Sequence, residues 1–124
     1  MNITKNILSE KLKSGSHLWN LWLSECKKIE QEDLKIELRN DKVLKNTRII
    51  KYDLHIEFPT FKIEQETLEN FKISNLKWIL ECKNTTFKNC KFNDSKLDKS
   101  IFKNCIFYNC QFGHTSLIDC NFNY

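Results

Sequence analysis

The chain is poor in the residues that build glycine-rich loops and common catalytic motifs. Its 124 residues include two glycines, one proline and one methionine. A glycine-rich phosphate loop is therefore excluded, and neither a Gly-x-Ser-x-Gly nor a His-Glu-x-x-His motif is present. The three histidines, His17, His55 and His114, lie far apart in unlike contexts. These absences predict a protein that is not an enzyme and that uses no cofactor or catalytic metal.

Long hydrophobic runs and arginine are also scarce. No run of 18 apolar residues is present, so we expect no membrane span. The first residues lack the apolar core and cleavage site of a signal peptide, which predicts a cytoplasmic location. Arginine occurs only at Arg39 and Arg48, and the net charge of +4 is spread along the chain. This pattern indicates a solvated charged surface, and we do not expect nucleic acid as a partner.

The chain does contain a strict repeat of five residues. From residue 85 to residue 124 it reads TTFKN, CKFND, SKLDK, SIFKN, CIFYN, CQFGH, TSLID and CNFNY. The third position is always large and apolar: Phe87, Phe92, Leu97, Phe102, Phe107, Phe112, Leu117 and Phe122. The first position is always small, and it is cysteine at Cys90, Cys105, Cys110 and Cys120. Neither a helix nor a strand has this period, so we predict a solenoid with four-sided coils and both positions pointing inward.

A second period supports this prediction. Residues 20 positions apart match by type, as in Phe87 with Phe107 and Phe92 with Phe112, which is expected when successive coils stack. The small position accepts Cys, Ser and Thr alike, which indicates a volume requirement rather than a disulfide or metal site. Cys90 and Cys110 should lie close enough to oxidise, but a cytosolic setting disfavours that reaction.

These repeats resemble the pentapeptide-repeat family, whose members fold as a right-handed quadrilateral β-helix. The family's Asn-Cys-x-Phe variant occurs at residues 89–92, 104–107 and 109–112. Residues 15–22, GSHLWNLW, are similar to the Gly…Trp-Asn-x-Trp leader of many such proteins, although Leu23 stands where the family usually has arginine. The predicted fold class is therefore an all-β solenoid of this kind with an N-terminal α-helical cap.

Three segments are expected within one structural domain. Residues 1–30 are predicted as the helical cap, with Thr4 capping a first helix, Gly15 breaking it and Ser16 capping a second helix that ends near Lys28. Trp19 and Trp22 should seal the first coil. Residues 31–80 fit either a strand that Pro59 ends or degenerate coils with large residues at Phe58, Ile63, Leu68, Ile73 and Trp78, preceded by Leu44, Ile49 and Leu54. Residues 81–124 form the regular coils.

The outward positions differ between the last two coils. Asp94, Asp98 and Asp119 are outward and should be solvated. The earlier coil carries Lys88, Lys91, Lys96, Lys99 and Lys103. The last coil, residues 105–124, has no Lys, Arg or Glu, and its outward residues include Ile106, Tyr108, Ile118 and Tyr124. This uncharged end predicts an interface, most simply with a second copy of the chain. Truncation of a longer solenoid explains it equally well.

Three functions follow from these features. The first is a non-catalytic interaction or scaffold module that binds a protein partner, whose identity the sequence leaves open. The family resemblance implies a second, a DNA-mimicking modulator of a type II topoisomerase such as gyrase, although mimicry needs an acidic face and the repeats are net basic. The third is weak nucleic-acid binding through the lysine-bearing coil. Richness in Lys, Asn and Ile is typical of an AT-rich bacterial or phage genome.

Overall fold

The computed structural model describes residues 2–40 and 55–123, with backbone alone for residues 34–40. In these segments two helices, α1 (Lys5–Lys13) and α2 (Ser16–Asn40), precede nine short strands. The strands are β1 (Ile56–Glu57), β2 (Phe61–Glu64), β3 (Thr67–Glu69), β4 (Leu76–Lys77), β5 (Leu80–Lys83), β6 (Thr86–Lys88), β7 (Ile101–Lys103), β8 (Ile106–Tyr108) and β9 (Asn121–Asn123). Neither helix, within the described segments, combines the length and the hydrophobicity that crossing a bilayer requires.

The helix boundaries agree with the sequence prediction at the start and differ later. The Thr4 side chain accepts a hydrogen bond from Ile7 N at 3.3 Å and caps α1 as predicted. Gly15, with φ of +96°, follows the end of α1, and its carbonyl accepts the first bond of α2 from Trp19 N at 3.0 Å. The predicted cap at Ser16 is therefore wrong. The predicted end near Lys28 is also wrong, because residues 29–40 are mostly strong helix formers without glycine or proline.

All strand pairs are parallel and join successive coils. The sheets have the orders β1–β4, β2–β5–β7–β9 and β3–β6–β8. A further side is held by single bridges from Lys72 to Lys91 and from Lys91 to Gln111. Pairing on four sides, repeated along one axis, makes a β-solenoid of about three turns.

One coil is shorter than the others. Cys82 pairs with Phe102, which pairs with Phe122, so these coils contain 20 residues. Phe61 pairs with Leu80, so the coil between them contains 19 residues. The difference arises from a four-residue step between Trp78 and Cys82, a cysteine in the position that holds a large residue elsewhere, whereas every other step has five.

The five-residue spacing extends upstream of the regular repeats. The large residues of this earlier part are all buried: Phe58, Ile63, Leu68, Ile73 and Trp78. Of the alternative, a strand that Pro59 ends, the described part of the chain contains β1, Ile56–Glu57. The start of that strand and the predicted positions Leu44, Ile49 and Leu54 lie outside the described residues.

The corners of the coils have a left-handed backbone. The residue two positions after most large residues has a positive φ, for example 52° at Asn89 and 53° at Asn104, but Thr60 and Leu80, which follow Phe58 and Trp78, do not. Asparagine and aspartate adopt this conformation more readily than most residues, which accounts for the many Asn residues of the repeats. Their amides also stack between coils: Asn104 Nδ2 donates to Asn84 Oδ1 and Asn109 Nδ2 to Asn89 Oδ1, each at 2.7 Å.

Candidate functional site

The large apolar residues of the repeats form columns inside the solenoid. Phe107 stacks on Phe87 with ring centroids 5.0 Å apart, and Phe122 stacks on Phe102 at 5.1 Å. Burial decreases along the chain. The buried members are Phe87, Phe92, Leu97 and Phe102, the half-buried members are Phe107, Phe112 and Leu117, and Phe122 is 45 % exposed. The gradient arises because no described residue covers the last coil.

The small inward residues act as hydrogen-bond donors between coils. Ser95 Oγ donates to Ile73 O at 2.5 Å and accepts from Leu76 N at 3.1 Å. A bond to the carbonyl of a large residue one coil below is also made by Thr85, Cys90, Ser100, Cys110, Thr115 and Cys120. These positions therefore require a hydrogen-bond donor as well as a small volume, and the sequence prediction included only the volume. The sequence does indicate the donor role, because these positions hold Ser, Thr and Cys but never Ala or Gly.

Burial keeps the cysteine thiols neutral. All six are free, and burial is the first cause that raises the pKa of each, that of Cys90 to about 11. A thiol in this state is a poor nucleophile and a poor metal ligand. Cys90 and Cys110 lie one coil apart and influence the pKa of each other. No group of three His, Cys, Asp or Glu side chains in the described segments is placed to bind a metal ion.

We expect Cys90 to make the fold less stable at high pH. Its thiol pKa is raised from 9.0 to about 11 in the folded protein, so the unfolded chain loses this proton first as the pH rises. The stability contribution is complete below pH 9 and is lost between pH 9 and 11. The free energy of unfolding in urea should fall more steeply over this interval for the wild type than for Cys90→Ser. Parallel pH profiles would contradict this expectation.

Two adjacent residues of α2 cover the N-terminal edge of the first coil. Trp19 Nε1 donates to Lys72 O at 2.8 Å. Asn20 Oδ1 accepts from Lys72 N at 2.9 Å, and Asn20 Nδ2 donates to Asn70 O at 3.0 Å. Three backbone groups of this strand edge are thus satisfied by side chains. The sequence prediction for this end named Trp19 and Trp22 but missed Asn20, although it lies beside Trp19.

Aromatic rings fill the space between α2 and the first coil. Trp19 is fully buried and stacks on Trp78 with ring centroids 6.0 Å apart. Trp22 contacts Trp19 at 5.2 Å and stacks on Phe58 at 5.8 Å. Phe71 occupies a position that is small in the regular repeats, and its ring lies 6.0 Å from Trp19. The first coil tolerates the larger residue because its ring packs against the helix.

The opposite end of the solenoid has no such cover among the described residues. Ile106 is 59 % exposed, and Tyr108 and Ile118 are each 65 % exposed. Tyr124, the fourth predicted interface residue, lies outside the described residues. Asp119 is the single formal charge in residues 105–123 if His114 is neutral. We call this surface the uncovered face; it consists of the outward residues Ile106, Tyr108 and Ile118 and the exposed ladder residue Phe122.

The backbone edge of the last coil is also open. In the coil below, Phe92 N donates to Gln111 O at 2.8 Å and Leu97 N donates to Ser116 O at 2.9 Å. Phe112 and Leu117 occupy the equivalent positions one coil later, and no further described coil lies above them to accept their N–H groups. A strand edge of this kind pairs readily with another chain.

The remaining polar candidates lie at the surface. His17, His114 and Asp119 are exposed. Half-buried His55 contacts Asp94 O through Nε2 at 2.9 Å. The prediction that Asp98 is merely solvated is wrong, because its Oδ1 accepts from Ser116 Oγ at 2.6 Å and from Ile118 N at 2.8 Å. These bonds attach the last coil to the one below. The five lysines predicted to be outward are exposed.

Comparison with known proteins supports the repeat assignment. Residues 82–123 match the pentapeptide repeats family, in eight copies. The match does not reach residues 15–22, so the similarity of that segment to the family's leader stays a prediction. No curated protein and no solved structure matches the chain.

Proposed function

We propose, from the match of residues 82–123 to pentapeptide repeats, that the protein is a non-catalytic interaction module. Proteins with these repeats are generally structural or interaction modules rather than enzymes. The observation that carries the proposal is the uncovered face, where exposed apolar side chains surround an open strand edge. Exposed apolar side chains concentrated at one end of a fold are typical of an interaction site in soluble proteins. The other described coils carry mainly lysine and glutamate outward, with Ile79 and Ile101 as exposed apolar residues.

The partner that fits this face is a second copy of the chain. The face carries so little charge that two copies can approach without electrostatic repulsion. A strand edge presents alternating donors and acceptors, so two identical edges related by a two-fold axis can pair. The helices occupy the other end, and we propose that they act as its cap. Head-to-tail growth into a filament is then blocked, and association stops at a dimer.

The two alternative functions receive less support. A DNA mimic needs a strongly acidic surface, whereas the exposed outward residues of residues 82–103 include six lysines and no acid. Nucleic-acid binding would gain from arginine forks or from aromatic residues interleaved with the lysines, and the chain has two arginines in all. We place the module in the cytoplasm, where six free thiols are compatible with the reducing conditions.

The solution mass of two lysine variants tests this function. Ile118 and Ile79 occupy the same position on the same side of the solenoid, two coils apart, and both are exposed. By light scattering, we expect the wild type and Ile79→Lys to have twice the chain mass of 14.9 kDa and Ile118→Lys to have the single mass. A monomeric wild type, or an Ile118→Lys variant that remains dimeric, would contradict the proposal.

A further inference from the structure

We infer that the corner beside α2 binds phosphate. A shallow cavity here is lined by Asn20, Asn70, Phe71, Lys72, Asn89 and Lys91. Lys27 of α2 is a third basic residue of this group, because the charge of Lys72 contributes to lowering its pKa. We call this group of residues the basic corner. It lies at the helix-covered end of the solenoid, so the inference is independent of self-association through the uncovered face.

Like charges are held together at this corner. Lys72 and Lys91 are register partners in adjacent parallel coils, whose backbones are about 4.8 Å apart. Burial, followed by the charge of Lys72, lowers the pKa of half-buried Lys27. None of the three lysines forms an ion pair with another described residue. Neighbouring like charges destabilise a fold, so an arrangement of this kind favours an anion that would neutralise them.

The backbone of the basic corner is fixed before any ligand arrives. Lys72 is held on both sides of its peptide by α2, through Asn20 to its N–H and through Trp19 to its carbonyl. Asn89 Oδ1 accepts from Asn109, which leaves the Nδ2 group of Asn89 to donate to a ligand. A rigid site loses less conformational entropy on binding than a flexible one.

The lining indicates a small oxyanion. Ammonium and amide groups supply donors, and no carboxylate lines the cavity. Glu69 lies on the adjacent side of the solenoid, where its register partner is Lys88. Phe71 is buried and offers no exposed ring on which a base could stack. Several donors converging without a flat stacking surface suit a tetrahedral phosphate, for which lysine is a common ligand.

A second lysine pair provides a matched control. Lys83 and Lys103 are also register partners in adjacent coils, but Glu64 and Glu81 line the cavity beside them. We compare Lys72→Gln/Lys91→Gln with Lys83→Gln/Lys103→Gln, since each variant removes one stacked pair and two charges. Far-UV circular dichroism and thermal unfolding without phosphate establish that both variants are folded.

Calorimetric titration with inorganic phosphate and with glycerol phosphate, at constant ionic strength, measures the Kd. We expect the wild type and the control variant to bind with the same Kd. Loss of two charge-assisted contacts should raise the Kd of Lys72→Gln/Lys91→Gln at least about tenfold. Binding of inorganic phosphate alone, or of both probes, supports the site. The comparison of the two probes shows whether the site accepts a phosphate monoester. Absence of binding to the wild type, or an equal Kd in both variants, would overturn the inference.

Discussion

Replacing Trp19 by alanine should lower the free energy of unfolding by about 3–5 kcal/mol, the range for large aromatic residues in a core. Trp19 is fully buried between α2 and the first coil. The substitution removes its stacking on Trp78 and leaves Lys72 O without the indole donor that now satisfies it. Urea unfolding followed by circular dichroism measures the loss.

Two further variants of α2 make this expectation specific. Leu21→Ala lies on the same helix at a residue that is 53 % exposed, and it should change stability by no more than about 0.5 kcal/mol. Trp19→Phe keeps an aromatic ring but loses the indole N–H, so its effect should fall between the two. Equal losses in Trp19→Ala and Leu21→Ala would show that the helix does not stabilise the solenoid through this contact.

Phe92→Ala should destabilise the protein by a similar amount, about 3–5 kcal/mol. Phe92 is fully buried in the middle of the ladder, and it stacks on Phe112 with ring centroids 4.9 Å apart. A cavity at this position cannot collapse easily, because parallel coils on all four sides hold the surrounding backbone. Thermal and urea unfolding of the purified variant measure the effect.

Phe112→Ala is the matched comparison, since Phe112 stacks on the same column but is half-buried. Its cost in a monomeric background such as Ile118→Lys should be clearly smaller than that of Phe92→Ala. In the dimeric wild type, the cost should increase with protein concentration if Phe112 is covered by the second copy. Equal costs for Phe92→Ala and Phe112→Ala in the monomeric background would contradict the burial gradient along the ladder.

The coil architecture was predictable because side-chain volume alone encodes it. Inward positions alternate between small and large along the chain and match by type from coil to coil, so Phe87 and Phe107 had to match at the 20-residue period that the structure shows. The same reasoning extends to Phe58 and Trp78, where the five-residue spacing persists without the small residue. The pattern of side-chain volumes therefore predicted the solenoid and its buried positions. It contains no information about which polar atoms form hydrogen bonds with each other.

Three features were not predicted from the sequence. The hydrogen bonds of Asn20 join residues about 50 positions apart, and no local pattern marks such a pair. The donor role of Ser95 depends on a carbonyl in another coil. The extension of α2 beyond Lys28 was also missed, although residues 29–40 are mostly strong helix formers. At the candidate site, Ile106, Tyr108 and Ile118 were recognisable as exposed, since outward positions follow directly from the repeat.

The 20-residue coil also determines how this protein can change length. Each coil pairs only with its immediate neighbours, so a whole coil inserted after Lys103 would meet the same contacts on both sides. Such an insertion would move the basic corner and the uncovered face apart by about 4.8 Å without altering the residues of either. The regular coils therefore form a spacer of adjustable length, in which copy number sets the distance between two surfaces while their chemistry varies independently.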